Sequence, residues 1–432
     1  MIGFSNNKGP LLNSGPCLCA AHPGFGVVIT SMKSLFLFVG LLFSLVSQAQ
    51  NSAVVNSSEQ LRAALQIVKA GQKIIILPGI YEGGFYAENL RGTPNNPIII
   101  TGFQDRPALF KGGGNGLHIA GAEYLEVRDL KIEGARNNGL NIDDGGVYTR
   151  PSRYITLKNL QISNIGPQGN HDGMKLSGVD DFRIENCRLE NWGTDSGSGI
   201  DMVGCHKGVI TKNTFMHQSD PRTTGGSGVQ AKGGCRDIQI QNNRFENAGH
   251  RAVNIGGSTG LEFFRPPLND AAQWPNGKHE AQNITVEGNV FIGSLAPLAF
   301  VGVDGARVRF NTIYHPGQWA LRILQETNEV GFVPSRNGIF SDNIVVFRAG
   351  QWIEGGVNIG PKTAPETFEF ARNFWFNEDN PARSRPNLPN EEKEGVYGQD
   401  PLFQNAPEEW KLKENSPAQG KGASAWRQLI AK

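Results

Sequence analysis

Apolar and polar residues alternate through most of the chain, in short stretches separated by glycine and asparagine. Between Gly228 and Gly257, apolar residues recur at every second position of each stretch. Alternation with a period of two, without helical spacing, predicts β-strands. Gln230, Lys232 and Asn254 stand between the apolar positions, where a small residue would also fit. The pattern therefore predicts strands with one buried face and one polar face.

This arrangement recurs with an irregular period of roughly 20 to 30 residues, within the range of solenoid repeats. Each copy has a first strand, a bend that contains asparagine, a second strand, a variable loop and a third strand. Because neighbouring copies cover each other's apolar faces, the repeat predicts a solenoid. We predict an all-β fold, a single-stranded right-handed parallel β-helix. The clearest copies start at Tyr124, Tyr154, Asp181, Lys207 and Asp237, and weaker ones at Ile284, Val308 and Ile339.

The predicted β-helix domain covers residues 57–425, and a helix is predicted to cap its N-terminal end. Ser57 or Ser58 is suited to be the N-cap residue of an amphipathic segment that Gly71 stops. A solenoid exposes an apolar face at its open end, so a covering element is expected there. At the other end, residues 400–424 predict the last irregular turns of the solenoid.

Asparagines recur at one place in the repeat, namely Asn159, Asn186, Asn213 and Asn242. Asparagine tolerates left-handed backbone, and its amide can bond to the counterpart one turn away. We therefore expect these four residues to have a structural role.

An apolar run, Leu35–Val46, precedes the domain and follows a lysine. Small residues then frame a cleavage position before Gln50, so residues 32–49 predict a secretory signal peptide. The run is too short for a membrane anchor, which needs roughly 18 to 20 apolar residues. Residues 1–31 resemble no folded element, and we expect them to be a disordered, over-extended start. The mature protein is then expected to be secreted or periplasmic, with no membrane contact.

The formal net charge is +1 for the whole chain. Removal of the predicted leader takes away Lys8 and Lys33 and no acidic residue, so the formal charge becomes −1. A near-neutral chain has no general electrostatic attraction for nucleic acid. We therefore expect no nucleic-acid partner, and any anionic partner must be bound by a local cationic patch.

Cysteine is sparse after the predicted leader, where only Cys187, Cys205 and Cys235 remain. This number is too small for a disulfide scaffold. Cys205 and Cys235 end two similar stretches and are expected to be neighbours. They predict either a disulfide bridge or, as the favoured alternative, two buried thiols.

If the third strands stack in register, their outward side chains form columns with turns about 4.8 Å apart. The polar column, as we call the first of these, is predicted to hold Asn141, Lys175, Asp201, Gln230, Asn254 and Arg322, with Ala299 before the last. A second column further along the strands is predicted to hold Asp143, Ser177 and Lys232. Loops at the strand entrances add His171, Asp172, His250 and Arg251.

Several segments carry a resemblance to known proteins. The capping helix, "IIILPGIYEG", "GTPNNPIIITG" and "LEVRDLKIEG" resemble the start of pectin-lyase-type right-handed parallel β-helix proteins. They are most similar to the family six polysaccharide lyases, of the alginate lyase and chondroitinase B type. The resemblance covers about residues 57–425 in outline, and it implies a secreted enzyme that degrades an anionic polysaccharide.

Residues 259–283 interrupt the repeat with a long insertion that contains Phe264, Arg265 and Trp274. Long insertions in compact repeats are usually functional. We expect this insertion to flank a groove beside the polar column and to offer aromatic faces to sugar rings.

A lyase cleaves such a polymer when a base removes the proton beside a uronate carboxylate and a cation neutralises that carboxylate. Lysine can be the base when nearby cations and partial burial lower its pKa. Since "VQAKGG" resembles the lyase site, the resemblance implies Lys232 as the base. The other candidate catalytic residues are Lys175, Asp201, His250 and Arg251. The candidate substrate-binding residues are Asn141, His171, Gln230, Asn254, Arg322, Phe264, Arg265 and Trp274.

The sequence departs from the lyases at two places. Gly256 stands where they have an arginine on the next turn, and we expect Arg251 to supply that charge. "GGSG" replaces their acidic calcium ligands. Asp143, Asp144 and Asp172 are the alternative candidates for a calcium site, because clustered carboxylates suit this ion.

Two other functions remain open. A glycoside hydrolase on the same scaffold needs two carboxylates roughly 5 to 10 Å apart, which Asp201 with Asp172 or Asp143 would provide. A non-catalytic extracellular protein would use the groove only to bind glycans, since the fold alone does not decide the activity. In each case the expected partner is a polysaccharide, and the expected oligomeric state is a monomer.

Overall fold

The computed structural model describes residues 52–218 and 226–431. These residues fold into three long parallel sheets that the chain visits in turn, which is a right-handed parallel β-helix. The prediction of the fold class is confirmed. The predicted leader at 32–49 and the segment 1–31 lie outside the described residues, and both remain predictions.

Along the middle of the solenoid, the chain passes through sheet 1, sheet 2 and sheet 3 in that order on each turn. Sheet 1 consists of Ser52–Val55, Lys73–Ile76, Ile98–Thr101, Glu123–Arg128, Ser152–Lys158, Val179–Glu185, His206–Thr211, Cys235–Arg236, Gln239–Gln241, Ala281–Glu287, Val303–Arg309, Arg336–Ser341 and Glu369–Ala371. Sheet 2 consists of Ile80–Glu82, Ala108–Lys111, Leu130–Glu133, Gln161–Ser163, Arg188–Glu190, Thr214–Met216, Arg244–Glu246, Val290–Ile292, Thr312–Tyr314, Ile344–Phe347, Phe374–Asn377 and Val396–Tyr397. Sheet 3 consists of Phe85–Glu88, Leu117–Ala120, Leu140–Asp143, Met174–Ser177, Ser198–Val203, Ser227–Lys232, Arg251–Gly256, Leu298–Val301, Leu321–Leu324 and Val357–Ile359.

The core lies inside the coil because alternate residues of each strand point inward. Stacking in register then places like residues above one another. Phe215, Phe245 and Phe291 are fully buried, and their rings stack with centroids 4.7 and 4.8 Å apart. A phenylalanine at one repeat position therefore forms a continuous apolar column.

The helix predicted near the N-terminal end is present as Ser58–Ile67. The Ser57 side chain accepts a hydrogen bond from the Gln60 amide at 3.2 Å, as expected of an N-cap. The helix buries Leu61 and Leu65 in the main core. Its role as a cap remains a prediction.

The C-terminal end differs from the prediction of further irregular turns. Strands Phe403–Asn405 and Glu409–Leu412 form an antiparallel hairpin, and a second helix spans Gly422–Ile430. The Trp426 ring packs near Phe310, with centroids 6.2 Å apart, and also lies against Gly288. An antiparallel hairpin therefore stands where turns were predicted, and a helix that docks on the solenoid follows it. Short 3₁₀ segments lie at Leu261–Phe263, Ala271–Gln273, Ala349–Gln351, Glu354–Gly356, Pro365–Thr367 and Pro381–Arg383.

Three of the four recurring asparagines have the expected conformation. Asn159, Asn186 and Asn242 have φ values of 53°, 55° and 55°, and Asn186 donates to Asn159 across one turn at 2.7 Å. Asn213 is different, because Lys212 takes the left-handed position on its turn with φ 57°. The assignment of Asn213 to this set was therefore wrong.

Asn213 belongs to a separate stack, which we call the asparagine ladder. Each side-chain amide in it donates to the side-chain oxygen of the next asparagine at 2.9 to 3.0 Å, and the last one, Asn373, donates to Glu392 at 2.7 Å. The same amide also donates to a backbone carbonyl of the preceding turn. The ladder is buried throughout and consists of Asn213, Asn243, Asn289, Asn311, Asn343 and Asn373.

Cys187, Cys205 and Cys235 are buried free thiols, which confirms the favoured alternative. The Cys205 amide donates to the sulfur of Cys235 at 3.2 Å, so these two residues are neighbours on adjacent turns. None of the helices within 52–218 and 226–431 has the length and apolar character needed to cross a membrane.

Candidate active site

The register of sheet 3 confirms the predicted polar column. Adjacent strands pair Asn141 with Lys175, Lys175 with Asp201, and so on to the pair of Ala299 with Arg322. The intervening pairs join Asp201, Gln230, Asn254 and Ala299. The column also extends beyond the prediction, to Tyr86 and His118 at one end and Asn358 at the other. These three share the apolar-polar-apolar pattern of the other third strands, which was a usable signal.

The second column is confirmed with one addition. Asp143 pairs with Ser177, Ser177 with Val203, and Val203 with Lys232. An apolar side chain therefore separates Lys232 from the other polar members. Lys232 instead lies beside the carboxylate of Asp201, in the neighbouring column.

Two lysines and two aspartates meet at this place, and we call Asp172, Lys175, Asp201 and Lys232 the charge cluster. The Lys175 ammonium contacts the Oδ2 atom of Asp201 and lies 3.7 Å from Oδ2 of Asp172. The Lys232 ammonium lies 3.5 Å from Oδ1 of Asp201 and 3.5 Å from Oε1 of Gln230. One carboxylate thus holds both ammonium groups side by side.

Burial sets the electrostatics of the charge cluster. Asp172 is 3% exposed and Asp201 1% exposed, whereas the lysine side chains reach partial exposure above them. Burial, and then the nearby Asp201 carboxylate, raise the pKa of Asp172 to about 7. Burial alone would lower the pKa of Lys175, but the Asp201 and Asp172 carboxylates outweigh this and raise it. Lys175 is therefore a cation at neutral pH.

A groove of about 810 Å³ lies over the charge cluster. Its floor is formed by Lys175, Ser177, Val203 and Lys232. One wall comes from the loop after Leu140–Asp143 and includes Tyr148. The other wall comes from the long insertion and its approach, at Ser258, Thr259, Gly260, Glu262, Phe263, Phe264, Arg265 and Pro267. Both lysines are thus reachable from the groove, while the two aspartates are not among its lining residues.

The aromatic residues of the insertion are arranged differently from the expectation. Trp274 is 7% exposed and Phe264 is 3% exposed, and their rings pack edge to face with centroids 6.4 Å apart. They stabilise the insertion instead of offering ring faces to a sugar. The exposed rings in the groove lining are Phe263, 63% exposed, and Tyr148, 54% exposed.

Arg265 also differs from its expected substrate-binding role. Its guanidinium donates to both carboxylate oxygens of Asp180, at 2.7 and 2.6 Å. It further donates to the carbonyls of Gly204 and Tyr148, at 2.7 and 3.2 Å. The side chain therefore ties the insertion to sheet 1 and to the opposite wall of the groove, and these contacts use four of its five N–H groups.

Arg251 does not lie among the residues that line the groove. Its guanidinium donates to Glu326 at 2.7 Å and to the Asn254 oxygen at 3.3 Å. Asn254 is itself 3% exposed, so both residues serve contacts within the protein. A side chain at Gly256 is excluded, since its Cβ would lie 1.8 Å from the Val301 carbonyl oxygen. The cation beside Lys232 in this groove is therefore Lys175.

The remaining predicted residues lie around the groove or beyond it. The ring of His171 packs against Gly166 and Gly169, and the His250 carbonyl accepts from the Ala296 amide at 2.8 Å. Arg322 donates to Asn358 at 2.8 Å and lies 4.6 Å above the Trp319 ring. None of these three is among the residues lining the groove.

The three acids proposed for calcium have other partners. Asp143 accepts from Asn141 at 2.9 Å and lies 2.6 Å from Nε2 of His118. Asp144 accepts from the Gly146 amide, and Asp172 from the Ser198 amide, both at 2.8 Å. Within 52–218 and 226–431, no three His, Cys, Asp or Glu side chains are placed to hold a metal ion. The three carboxylates thus already accept hydrogen bonds within the protein, and a calcium site at these residues stays a prediction.

The family model described as "Right handed beta helix region" matches residues 115–273. No curated protein sequence matches significantly. An alginate lyase from Paenibacillus sp. str. FPU-7 is 17% identical over 72% of this chain and 98% of that chain, with a TM-score of 0.48.

Two further solved structures are similar at the same level. The alginate lyase AlyGC of family PL6 is 14% identical over 86% of this chain and 56% of that chain, with a TM-score of 0.47. A lacto-N-biosidase of family GH136 from Eubacterium ramulus is 13% identical over 84% of this chain and 70% of that chain, with a TM-score of 0.49. The sheet topology and the matched region together identify the fold, a right-handed parallel β-helix.

Proposed function

We propose that this protein is a polysaccharide lyase that cleaves a uronic-acid-containing polymer by β-elimination. The observation that carries the proposal is the pair of lysines, Lys175 and Lys232, side by side on the floor of one groove. Elimination from a uronate needs a base and a cation close together, and these two groups supply both.

The two lysines are suited to different tasks. Lys175 contacts Asp201 and keeps its charge, so it is suited to neutralise the substrate carboxylate. Lys232 is held less tightly, at 3.5 Å from both of its polar neighbours, and it lies at the end of its strand. We therefore assign Lys232 as the base that removes the proton from the carbon beside the carboxylate.

The elimination then proceeds with a balanced transfer of atoms. The carbon–hydrogen bond breaks, its electron pair forms the new carbon–carbon double bond, and the glycosidic carbon–oxygen bond breaks. The leaving oxygen takes up a proton from water or from Lys232. The charge that develops on the substrate carboxylate lies next to Lys175 during this step.

The groove is suited to a sugar polymer. Its walls present the exposed rings of Phe263 and Tyr148, and aromatic faces pack well against apolar faces of ligands. Asn141 and His118 continue the polar column from Lys175 over the next two turns. A chain that lies across successive turns would therefore meet polar side chains on leaving the groove.

The carboxylates named for the hydrolase alternative are poorly placed for it, whereas two others, Asp144 and Glu262, line the groove. A hydrolase needs two carboxylates that reach the glycosidic bond. Asp201 and Asp172 are buried beneath the lysines, and Asp143 is bonded to Asn141 and His118. The alternative of a glycan-binding protein remains. An experiment that detects cleavage products distinguishes it from an enzyme.

The test is an assay of the mature protein on a panel of uronic-acid polysaccharides, with and without a chelator. A lyase releases products with the ultraviolet absorbance of an unsaturated uronate. Lys232→Ala should abolish this signal, and Lys175→Ala should weaken it strongly. Lys212→Ala is the matched control, because Lys212 is an exposed lysine paired with Glu185 on sheet 1.

Each outcome decides between the alternatives. Reducing ends that appear without the absorbance would indicate hydrolysis, and Asp201→Asn would then be the variant to test. Saturable binding without new ends would indicate a binding protein. Full activity of Lys232→Ala would refute its assignment as the base.

A further inference from the structure

Glu280 is a carboxylate buried close to the proposed site. It directly precedes strand Ala281–Glu287 of sheet 1, and it is 0% exposed. A buried carboxylate is costly unless hydrogen bonds compensate it. Burial raises the pKa of Glu280, while its hydrogen-bond donors act in the opposite direction.

Those donors come from three separate segments of the chain. Oε2 of Glu280 accepts from the Gly233 amide at 2.8 Å and from the Thr259 hydroxyl at 2.7 Å. Oε1 accepts from the Thr259 amide at 3.0 Å and from the Thr327 hydroxyl. In the part of the chain that the structure describes, no lysine or arginine forms an ion pair with Glu280.

The first segment is the turn that ends the strand of Lys232. Gly233 follows Lys232 directly, and the next amide, that of Gly234, donates to the backbone carbonyl of Glu280 at 2.8 Å. Gly233 and Gly234 have φ values of 64° and 88°, a conformation that favours glycine. The orientation of the strand end that carries Lys232 thus depends on Glu280.

The second segment is the wall of the groove. Thr259 lines the groove together with Ser258 and Gly260. Its backbone amide and hydroxyl both donate to Glu280, so the carboxylate fixes this residue at two points. The wall is therefore anchored where the insertion leaves sheet 3.

The third segment is the loop after strand Leu321–Leu324, which contains Thr327. The neighbouring Glu326 accepts from Arg251 at 2.7 Å. Because Glu280 bonds to Thr327, it also restrains the adjacent Glu326, which is the partner of Arg251. Three segments that are distant in sequence are thus joined through one side chain.

We propose that Glu280 is a positioning residue, which fixes the Lys232 turn and both adjoining loops in the geometry that the groove requires. Its effect on catalysis rests on the proposed lyase function, whereas its effect on the loops does not. The role does not require contact with substrate, because Glu280 is enclosed by the protein.

The test compares Glu280→Gln with Glu287→Gln by amide hydrogen exchange. Glutamine keeps the size of the side chain but replaces one acceptor oxygen by a donor, which then faces N–H or O–H donors. Glu287 is the matched control, because it is 4% exposed and pairs with Arg309 at the other end of the same strand. In Glu280→Gln, segments 257–262 and 325–329 should exchange on the order of tenfold faster, as expected for one lost charged hydrogen bond.

The control variant, Glu287→Gln, should lower the free energy of unfolding without faster exchange in segments 257–262 and 325–329. Unchanged exchange in both segments, or equal acceleration in Glu287→Gln, would overturn the proposal. If Glu280→Gln does not fold, Thr327→Val removes a single donor and keeps the side-chain shape. That variant should accelerate exchange in 325–329, and Thr327→Ser should restore it; the absence of both effects would also overturn the proposal.

The catalytic readout is separate from the exchange experiment. On a substrate that the wild type cleaves, Glu280→Gln should lower kcat by on the order of 10- to 100-fold, as a small misplacement of the base would do. KM should change less than kcat, and Glu287→Gln should leave both unchanged. Faster exchange without a fall in kcat would refute the positioning of Lys232. If the wild type cleaves no uronate polymer, the lyase proposal fails and the exchange result still decides the structural role.

Discussion

Two stacks of polar side chains follow the axis of this solenoid, and they differ in how their members are satisfied. In the asparagine ladder, every residue is of one type, and each amide up to Asn343 bonds to the identical residue on the next turn. In the polar column, adjacent members differ in size and charge. Lys175, Asp201 and Gln230 are direct neighbours there.

The two stacks thus differ in whether their polar groups are satisfied within the protein. A ladder of identical amides satisfies its own donors and acceptors, so it needs no ligand. The column leaves groups that its neighbours do not satisfy in full. Oδ1 of Asp201 is buried and has no hydrogen-bond partner among residues 52–218 and 226–431, and the Lys232 ammonium lies 3.5 Å from it. A stack whose adjacent residues differ in size and charge is therefore better suited to bind or react with a ligand than a stack of identical polar residues.

The largest effect is expected from Asn289→Leu, in the middle of the asparagine ladder. The change leaves the donors of Asn243 and the carbonyl of Ile240 without their partners in a buried place. Each unsatisfied buried group costs about 1 to 3 kcal/mol, so the free energy of unfolding should fall by about 4 kcal/mol. Chemical denaturation monitored by circular dichroism measures this loss.

The control for the ladder is Asn186→Gly. Asn186 belongs to the other set, the asparagines with left-handed backbone. The change removes the bond to Asn159 but keeps a residue that accepts the left-handed backbone. We expect a loss below about 1 kcal/mol. If the two variants lose the same free energy of unfolding, the distinction between the ladder and the left-handed asparagines is removed.

Much of this fold could be predicted from the sequence, because every turn repeats the same apolar pattern. The register of the polar column followed from aligning "GMKLS", "GIDMV" and "GVQAK". The asparagine ladder was missed, because adjacent asparagines such as Asn242 and Asn243 differ only in backbone conformation. That difference is set by the turn as a whole and not by residue type.

The candidate site was predictable only in part. Lys175 and Lys232 were placed on one face, since the repeat determines which positions point outward. The insertion has no repeat, so nothing in its sequence distinguished the buried Trp274 from the exposed Phe263. The pairing of Arg265 with Asp180 was equally hidden, because it joins residues 85 positions apart without a shared pattern.

The next largest effect is expected from Lys175→Met, which breaks the buried ion pair with Asp201. The loss of one partner leaves a buried carboxylate, and such changes cost about 3 kcal/mol. The double variant Lys175→Met with Asp201→Leu should recover most of this stability, since an apolar pair of similar volume is tolerated. Thermal and chemical denaturation measure both variants.

An exposed pair sets the scale for this experiment. Arg153 lies 3.1 Å from Glu123 and is 48% exposed, and Arg153→Met should cost at most about 1 kcal/mol. A double variant as unstable as Lys175→Met alone would indicate that the charge cluster contributes to folding in the way the asparagine ladder does.

The last prediction concerns the pH dependence of stability, and it arises from Asp172. The pKa of this carboxyl rises from 3.8 to about 7 in the folded protein, because burial and the Asp201 carboxylate disfavour its charge. Between these two values the folded state holds a proton that the unfolded state has released. The free energy of unfolding therefore falls as pH rises through this window, by at most about 1.4 kcal/mol per pH unit.

Asp172→Asn removes this titration and keeps an oxygen that accepts from the Ser198 amide, bonded at 2.8 Å in the wild type. The wild type should thus lose stability relative to the variant as pH rises from about 4 to about 7, with no further relative change above that. Denaturation at a series of pH values measures the difference between the two proteins. The asparagine ladder contains no titratable group, so Asn289→Leu should differ from the wild type by the same amount across this range. A constant difference for Asp172→Asn as well would mean that the lysines of the charge cluster fully offset the effect of burial on the pKa of Asp172. The electrostatic contrast between the two stacks would then disappear.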